Sequence, residues 1–374
     1  MVNRALFLLA TAALACLLAV AATAAPPSVR ADAYVVQNGA TGELLATLDE
    51  REQLPIASIT KLMTALVALE RVGLDEVVTV TKRAAAVGES SIDLRPGERI
   101  LVRDLLSAAL IQSANDAANA LAAHVAGSVP RFVELMNARA QELELTDTRF
   151  VNPDGLDAAG HVSSARDVTK LARVAMRKPF IRDTVRLVDS SAAGRSLHTW
   201  NDLLSTYPHL LGVKTGHTDG AGWSQVAAAR GGGVTIYATL LGGETREGRN
   251  EDLSALLSWG LAQYRTVWAI ADDRVYASAR TAYDRPAVQL VAAKPMLRLV
   301  RVDRRLVERV IAPVEVALPV RGGQQLGEVQ VLDRGVVIAS SPLVAAAGVP
   351  VPDRLDRVGF YAGRTVHHLW GALS

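Results

Sequence analysis

Residues 55–70 read PIASITKLMTALVALE. From Leu62 to Leu69 only Thr64 interrupts the apolar run, and the pattern predicts a buried helix over Ile59–Val72. At its start Ser58 and Lys61 stand three residues apart, so on a helix they share a face and the amine can reach the hydroxyl. Two readings compete. Serine favours helix starts as a cap. It can also be a nucleophile whose proton goes to the lysine. The second reading requires burial or a nearby positive charge to favour a neutral amine over its ordinary ~10.4 pKa. Ser-x-x-Lys alone leaves the choice open.

Outward from this stretch, two more segments carry polar groups suited to the same chemistry. Gln112-Ser113-Ala114-Asn115-Asp116 falls between the helical patterns Val102–Ile111 and Ala114–Val125. Ser113 there could relay protons and the Asn115 amide could hold a substrate peptide group, or both could be helix caps. Gly212-Val213-Lys214-Thr215-Gly216-His217 has strand character. It offers an ammonium, a hydroxyl and, in Gly216, a residue that lets a ligand lie against the backbone. The plain alternative is an edge-strand lysine followed by a turn.

The 374-residue length allows two domains at ~150 residues each. With 50 % hydrophobic and 21 % charged residues, the chain reads as a packed protein and not a disordered one. A formal charge of +2, with no basic run interleaved with aromatics, excludes nucleic acid as a partner. Met1-Val2-Asn3-Arg4, an apolar run over Ala5–Ala22 and the small-x-small site Ala22-Thr23-Ala24 make residues 1–24 a secretory signal. Cys16, the only cysteine, lies inside that run, so the exported chain has no disulfide and no thiolate. The seven histidines lack zinc-ligand spacing, and neither a metal nor a cofactor is expected.

Ala33–Gln37 and Leu44–Leu48 flank turn residues and predict a β-hairpin. Helical periodicity follows, continuing through Pro130–Leu143 and Ala165–Met176. Strands return at Val213–Thr215, Ser224–Ala229 and Val234–Leu241, before a closing helix over Leu253–Tyr264. Strands at both ends with helices between them predict an α+β fold with one sheet assembled from the two ends. This catalytic domain is expected over residues 25–275. Short β-branched segments at Leu297–Val302, Val307–Ile311, Val314–Val320, Glu328–Leu332 and Val336–Ala339 predict a small all-β domain over residues 285–349. In the tail, residues 350–374, Leu355, Val358, Ala362, Val366, Leu369 and Leu373 recur at helical spacing with cationic residues elsewhere. Such a helix can lie in a membrane surface, and it is too polar to span one.

Ser-x-x-Lys, Ser-x-Asn and Lys-Thr-Gly in that order are the motif set of serine β-lactamases and penicillin-binding proteins. With Asn152-Pro153-Asp154-Gly155, Ser163-Ser164-Ala165-Arg166-Asp167 and Gly248-Arg249, the chain resembles the low-molecular-mass penicillin-binding proteins that act as D-alanyl-D-alanine carboxypeptidases, serine peptidase family S11. The resemblance covers nearly all of the chain beyond the signal. It implies Ser58 as nucleophile and Lys61 as general base. It further implies Ser113 as proton shuttle, Asn115 as a substrate-placing amide, and Lys214 and Thr215 facing a carboxylate. Gly216 and His217 continue that wall, with the His217 backbone N–H in the oxyanion hole, and Arg249 is a further carboxylate ligand. Implied partners are peptidoglycan stem peptides ending in D-Ala-D-Ala, β-lactams as covalent inhibitors, and the outer face of the cytoplasmic membrane. A β-lactamase of the same fold would need a deacylating carboxylate; Glu134-Leu135-Met136-Asn137 is near such a pattern without matching it. Trp200 departs from the resemblance, which implies a small polar residue there.

Overall fold

A computed structural model describes residues 25–371, with side chains described to residue 362. The expected signal, residues 1–24, lies outside the described residues. The chain divides into two units, one reaching to Gln263 and one from Tyr264 onward.

The first unit is built on a five-stranded antiparallel sheet. Its strands are β1 (Ala33–Asn38), β2 (Leu44–Leu48), β3 (Leu210–Thr218), β4 (Gly222–Gly231) and β5 (Val234–Gly243), in the order β2-β1-β5-β4-β3. The sheet does join the two ends: Ala33 is paired with Leu241 and Val35 with Thr239. The Asn38 side chain accepts from the amides of Ala40 and Thr41, which folds the β1–β2 turn. β3 is the last strand, and its register with β4 sets Lys214 opposite Val226 and Gly216 opposite Ser224.

Helices α1 (Lys61–Leu69), α2 (Val102–Leu110), α3 (Asn115–Ala126), α4 (Val129–Glu142) and α5 (Ala165–Ala175) form the middle of this unit. Every residue of α1 from Lys61 to Ala68 is buried, which is why its sequence is apolar on all sides. Burial of Leu62, Met63 and Leu66 stabilises the unit by roughly 1.5–3 kcal/mol each. Helix α6 (Arg246–Ala262) packs on the sheet. It begins earlier than the apolar pattern predicts, because the Thr245 hydroxyl caps it by accepting from the Gly248 amide at 3.0 Å. Its first two turns are polar and so carry no periodic signal. It ends before Tyr264, which enters a strand.

In the second unit, β6 (Tyr264–Ile270) is paired with β9 (Met296–Arg301). A six-stranded sheet contains β7 (Val275–Thr281), β8 (Val288–Ala292), β10 (Leu306–Ile311), β11 (Glu315–Val316), β12 (Gln325–Asp333) and β13 (Val336–Ala345). The sequence expectation sets the limits at 25–275 and 285–349, whereas the two compact units of the structure divide between Gln263 and Tyr264. Both β6 and β7 pair with strands of the second unit, which therefore begins at Tyr264. Over Val314–Val320 the strand shrinks to Glu315–Val316, with a separate bridge from Val320 to Val349, since Pro313 and Pro319 remove backbone donors on either side. The tail forms helix α7 (Arg354–Gly371). Phe360 and Tyr361 meet the Tyr283 ring edge-on at 5.5 and 6.1 Å, and Asp356 pairs with Arg285. Leu355 and Val358 face solvent.

Candidate active site

The turn before α1 places Ser58. Residues Ala57–Thr60 form a 3-10 turn, with Ala57 at φ +46°. Neither this turn nor α1 has a side-chain cap, so Ser58 is not a capping residue. Its Oγ lies 2.7 Å from Lys61 Nζ. The amine also donates to Asn115 Oδ1 at 2.7 Å and to the Asp154 carbonyl at 2.6 Å. Asn115 is held in that orientation because its Nδ2 donates to the Gly88 carbonyl at 3.0 Å. Asn115 Oδ1 and the carbonyl can only accept. When Lys61 gives up its proton, two N–H bonds satisfy them, and the remaining lone pair has only the Ser58 hydroxyl to turn to.

Lys61 is fully buried, and burial pulls its pKa down to about 8 against the opposing carboxylates of Asp154, Glu89 and Asp116. Of the two conditions that favour a neutral amine, burial and a nearby positive charge, the structure gives that part to burial. The repulsion falls on Lys214, which burial first and then Lys61 and Arg249 hold well below an ordinary lysine. Lys214 Nζ donates to Ser113 Oγ and to the Thr215 carbonyl, each at 3.0 Å. Ser113 sits at φ +65° between α2 and α3, whose cap position is Ala114 with no side-chain bond. Both capping alternatives therefore fail for this loop. Asp116 instead anchors the loop above it, accepting from the Ile92 and Leu94 amides at distances from 3.0 to 3.3 Å.

A cleft of about 210 Å³ brings Ser58, Ser113, Thr215, Gly216, His217 and Arg249 together. Gly216 is required where it stands: a Cβ there would lie 2.6 Å from the Ile56 carbonyl oxygen. The His217 ring stacks on Trp223 at 3.8 Å, and its Nδ1 lies 3.2 Å from the Gly222 carbonyl. This ring is thus held against Trp223, on the strand that lines the cleft. Arg249 is 2 % exposed, so it is no surface arginine. Burial lowers its pKa to about 10, opposed by Asp202 at 3.7 Å. Glu134 and Asn137 lie on α4, where the Asn137 amide donates to Val133 and Phe150 carbonyls and accepts the Phe150 amide. That asparagine is structural. Among the described residues no cluster of ligating side chains could hold a metal.

Several participants carry no signal in residue type. Asp154 contributes its carbonyl to Lys61, while its carboxylate accepts from Asn119 Nδ2 at 2.5 Å. His161 accepts the Val151 amide at Nδ1 and therefore donates from Nε2 to Thr60 Oγ1 at 2.7 Å, fixing the turn from below. Burial lowers the His161 pKa to about 4, so it stays neutral. Trp200, Trp223, Ser90 and Arg246 complete the cleft wall. The Asn152–Leu156 segment and the Trp200 departure were the available signals for two of these.

A family model described as D-alanyl-D-alanine carboxypeptidase matches residues 20–245. A DacD D-alanyl-D-alanine carboxypeptidase of Salmonella typhimurium is 33 % identical over 90 % of this chain and 90 % of its own length. A DacC enzyme of Escherichia coli is 31 % identical over 94 % of this chain and 92 % of its own. Among solved structures, penicillin binding protein 5 of Haemophilus influenzae superposes with a TM-score of 0.65 and 28 % identity, covering 88 % of this chain and 100 % of that one. A Streptomyces K15 DD-transpeptidase mutant superposes at 0.61 with 32 % identity, covering 63 % of this chain and 99 % of that one.

Proposed function

The chain belongs to the D-alanyl-D-alanine carboxypeptidase family of serine peptidases, and from that premise we infer that it removes the terminal D-alanine of peptidoglycan stem peptides through an acyl-enzyme on Ser58. The observation that carries this reading is the buried Lys61 amine, 2.7 Å from the Ser58 hydroxyl with a pKa lowered to about 8.

Neutral Lys61 takes the Ser58 proton as Oγ attacks the carbonyl carbon of the D-Ala-D-Ala bond. The oxyanion is met by the backbone N–H groups of Ser58 and His217, where each lost donor typically costs ~10²–10³ in rate. The proton passes to the leaving amine, with Ser113 as relay beside Lys214. The substrate's free carboxylate meets Lys214, Thr215 and Arg249, and its charge relieves the mutual repulsion of the buried cations. Water then hydrolyses the ester and frees the shortened peptide. A β-lactam presents a strained amide and a carboxylate at similar spacing, and acylates Ser58 in the same manner.

Residues 1–24 act as a secretory signal that exports the chain. The α7 tail then holds it peripherally at a membrane surface through Leu355 and Val358, which are exposed on one side of the helix. Among the described residues no helix is long and apolar enough to cross a membrane. The catalytic reading is tested by D-alanine release from a peptide ending in D-Ala-D-Ala, wild type beside Ser58→Ala. No release by the wild type, or equal release by the variant, would sink it. Mass spectrometry after penicillin treatment should place the adduct on Ser58.

A further inference from the structure

One wall of the cleft is unlike the others. Trp200 is 47 % exposed and lines the same 210 Å³ cavity as Thr215 and Arg249. Its indole N–H donates to the Gln112 carbonyl at 3.1 Å, next to Ser113. The Arg246 guanidinium lies over its ring, 5.6 Å from the centroid, and is itself clamped by two bonds of 2.8 and 2.5 Å to Asp202. Asp202 also accepts from Asn250 at 2.9 Å, which in turn accepts from Arg249 at 2.7 Å. The tryptophan is therefore fixed on both faces of its role: one edge tied to the relay loop, one face covered by a braced cation. Trp200, Arg246 and Arg249 line the cleft together with Thr215, and Asp202 and Asn250 link the two arginines behind it. The cavity is also small beside the ~300–1,000 Å³ of sites for drug-sized ligands.

We propose that Trp200, backed by Arg246, is a specificity-determining residue that closes the leaving-group end of the cleft and limits the released group to a single small D-amino acid. The proposal rests on the carboxypeptidase reading above, in which the departing residue lies at that end. A bulkier terminal side chain, or a further residue beyond the scissile bond, meets the indole ring.

The test compares kcat/KM for two peptides differing only in the last residue, D-Ala or D-Leu, and measures their ratio in each enzyme, so that a general loss of activity cancels. Trp200→Ala is expected to raise the D-Leu to D-Ala ratio about 10–100-fold, the range a few methylene groups command in a fitted pocket, chiefly through KM for the D-Leu peptide. Trp200→Leu carries the same expectation at smaller size should the alanine variant not fold. Trp200→Phe keeps a ring over Arg246 and loses only the bond to Gln112, and is expected to hold the wild-type ratio. An unchanged ratio in the Ala and Leu variants overturns the proposal while leaving the carboxypeptidase reading intact. Relaxation in Phe equal to that in Ala also overturns it, since loop anchoring and not bulk would then decide. A wild type that releases no D-alanine overturns both.

Discussion

Lys61→Arg would keep a cation within reach of Ser58 and take away the lone pair, because a guanidinium does not lose its proton at accessible pH. Acylation by penicillin is expected to fall about 10²–10⁴-fold, the usual contribution of a general base. In the wild type, kcat/KM should rise with pH through about 8, as Lys61 becomes neutral. A profile flat from pH 6 to 10 would remove Lys61 from the role. His161 makes a separate prediction about stability. Its folded pKa, about 4, is depressed below the ordinary 6.5, so the unfolded chain binds the proton more readily. The stabilisation is present above pH 6.5 and lost as pH falls toward 4, on the order of 3 kcal/mol. Thermal unfolding of His161→Gln between pH 7 and 4 should show a shallower decline. At this scale the sequence displays side chains and hides carbonyls. Ser58, Lys61, Ser113, Asn115 and Lys214 stand out in the sequence by type and spacing, and the structure joins them by hydrogen bonds within two groups, Ser58–Lys61–Asn115 and Ser113–Lys214. The Asp154 and Gly88 carbonyls that orient Lys61 and Asn115 have no letter of their own.

Between elements, the Ala57–Thr60 turn rests on the loop that carries Gly155. That glycine has φ +89°, and a Cβ on it would stand 1.9 Å from the Ala57 carbonyl oxygen. Gly155→Ala must therefore push either the loop or the turn, in a place where Ala57 already occupies an uncommon conformation. We expect a loss of about 1–3 kcal/mol of stability and a slower acylation of Ser58, read by thermal unfolding and stopped-flow penicillin binding. Unchanged acylation kinetics would show that the turn does not depend on this contact. Strands such as β8 and β10 were readable because one-sided burial writes alternation into them, and β4, β5 and α1 because burial on all sides writes a nearly continuous apolar run. The opening turns of α6 were not, since Arg246, Asn250 and the cap at Thr245 act through polar contacts that leave no period.

The two units have separate apolar cores, one gathered around α1 and the sheet, the other around Ile270, Leu290, Val329 and Leu343. The K15 relative spans only 63 % of this chain at 99 % of its own length. A chain ending at Gln263 is accordingly expected to fold and to release D-alanine with kcat/KM within a few-fold of the full protein; loss of a cooperative thermal transition would refute that independence. The division at Tyr264 has no letter of its own, because β6 and β7 resemble any short apolar strands and only their partners assign them to the second unit. The pairing of β1 with β5 has a different consequence. It joins segments about two hundred residues apart, so the sheet forms through contacts that are slow to find. Ser58 and Lys61 emerge early in a chain made or threaded from its N-terminus, and Lys214 and the strand that closes the sheet emerge far later. The proposed catalytic apparatus thus has no half-built form. Topology acts as a timer, deferring hydrolysis until nearly the whole first unit has been delivered.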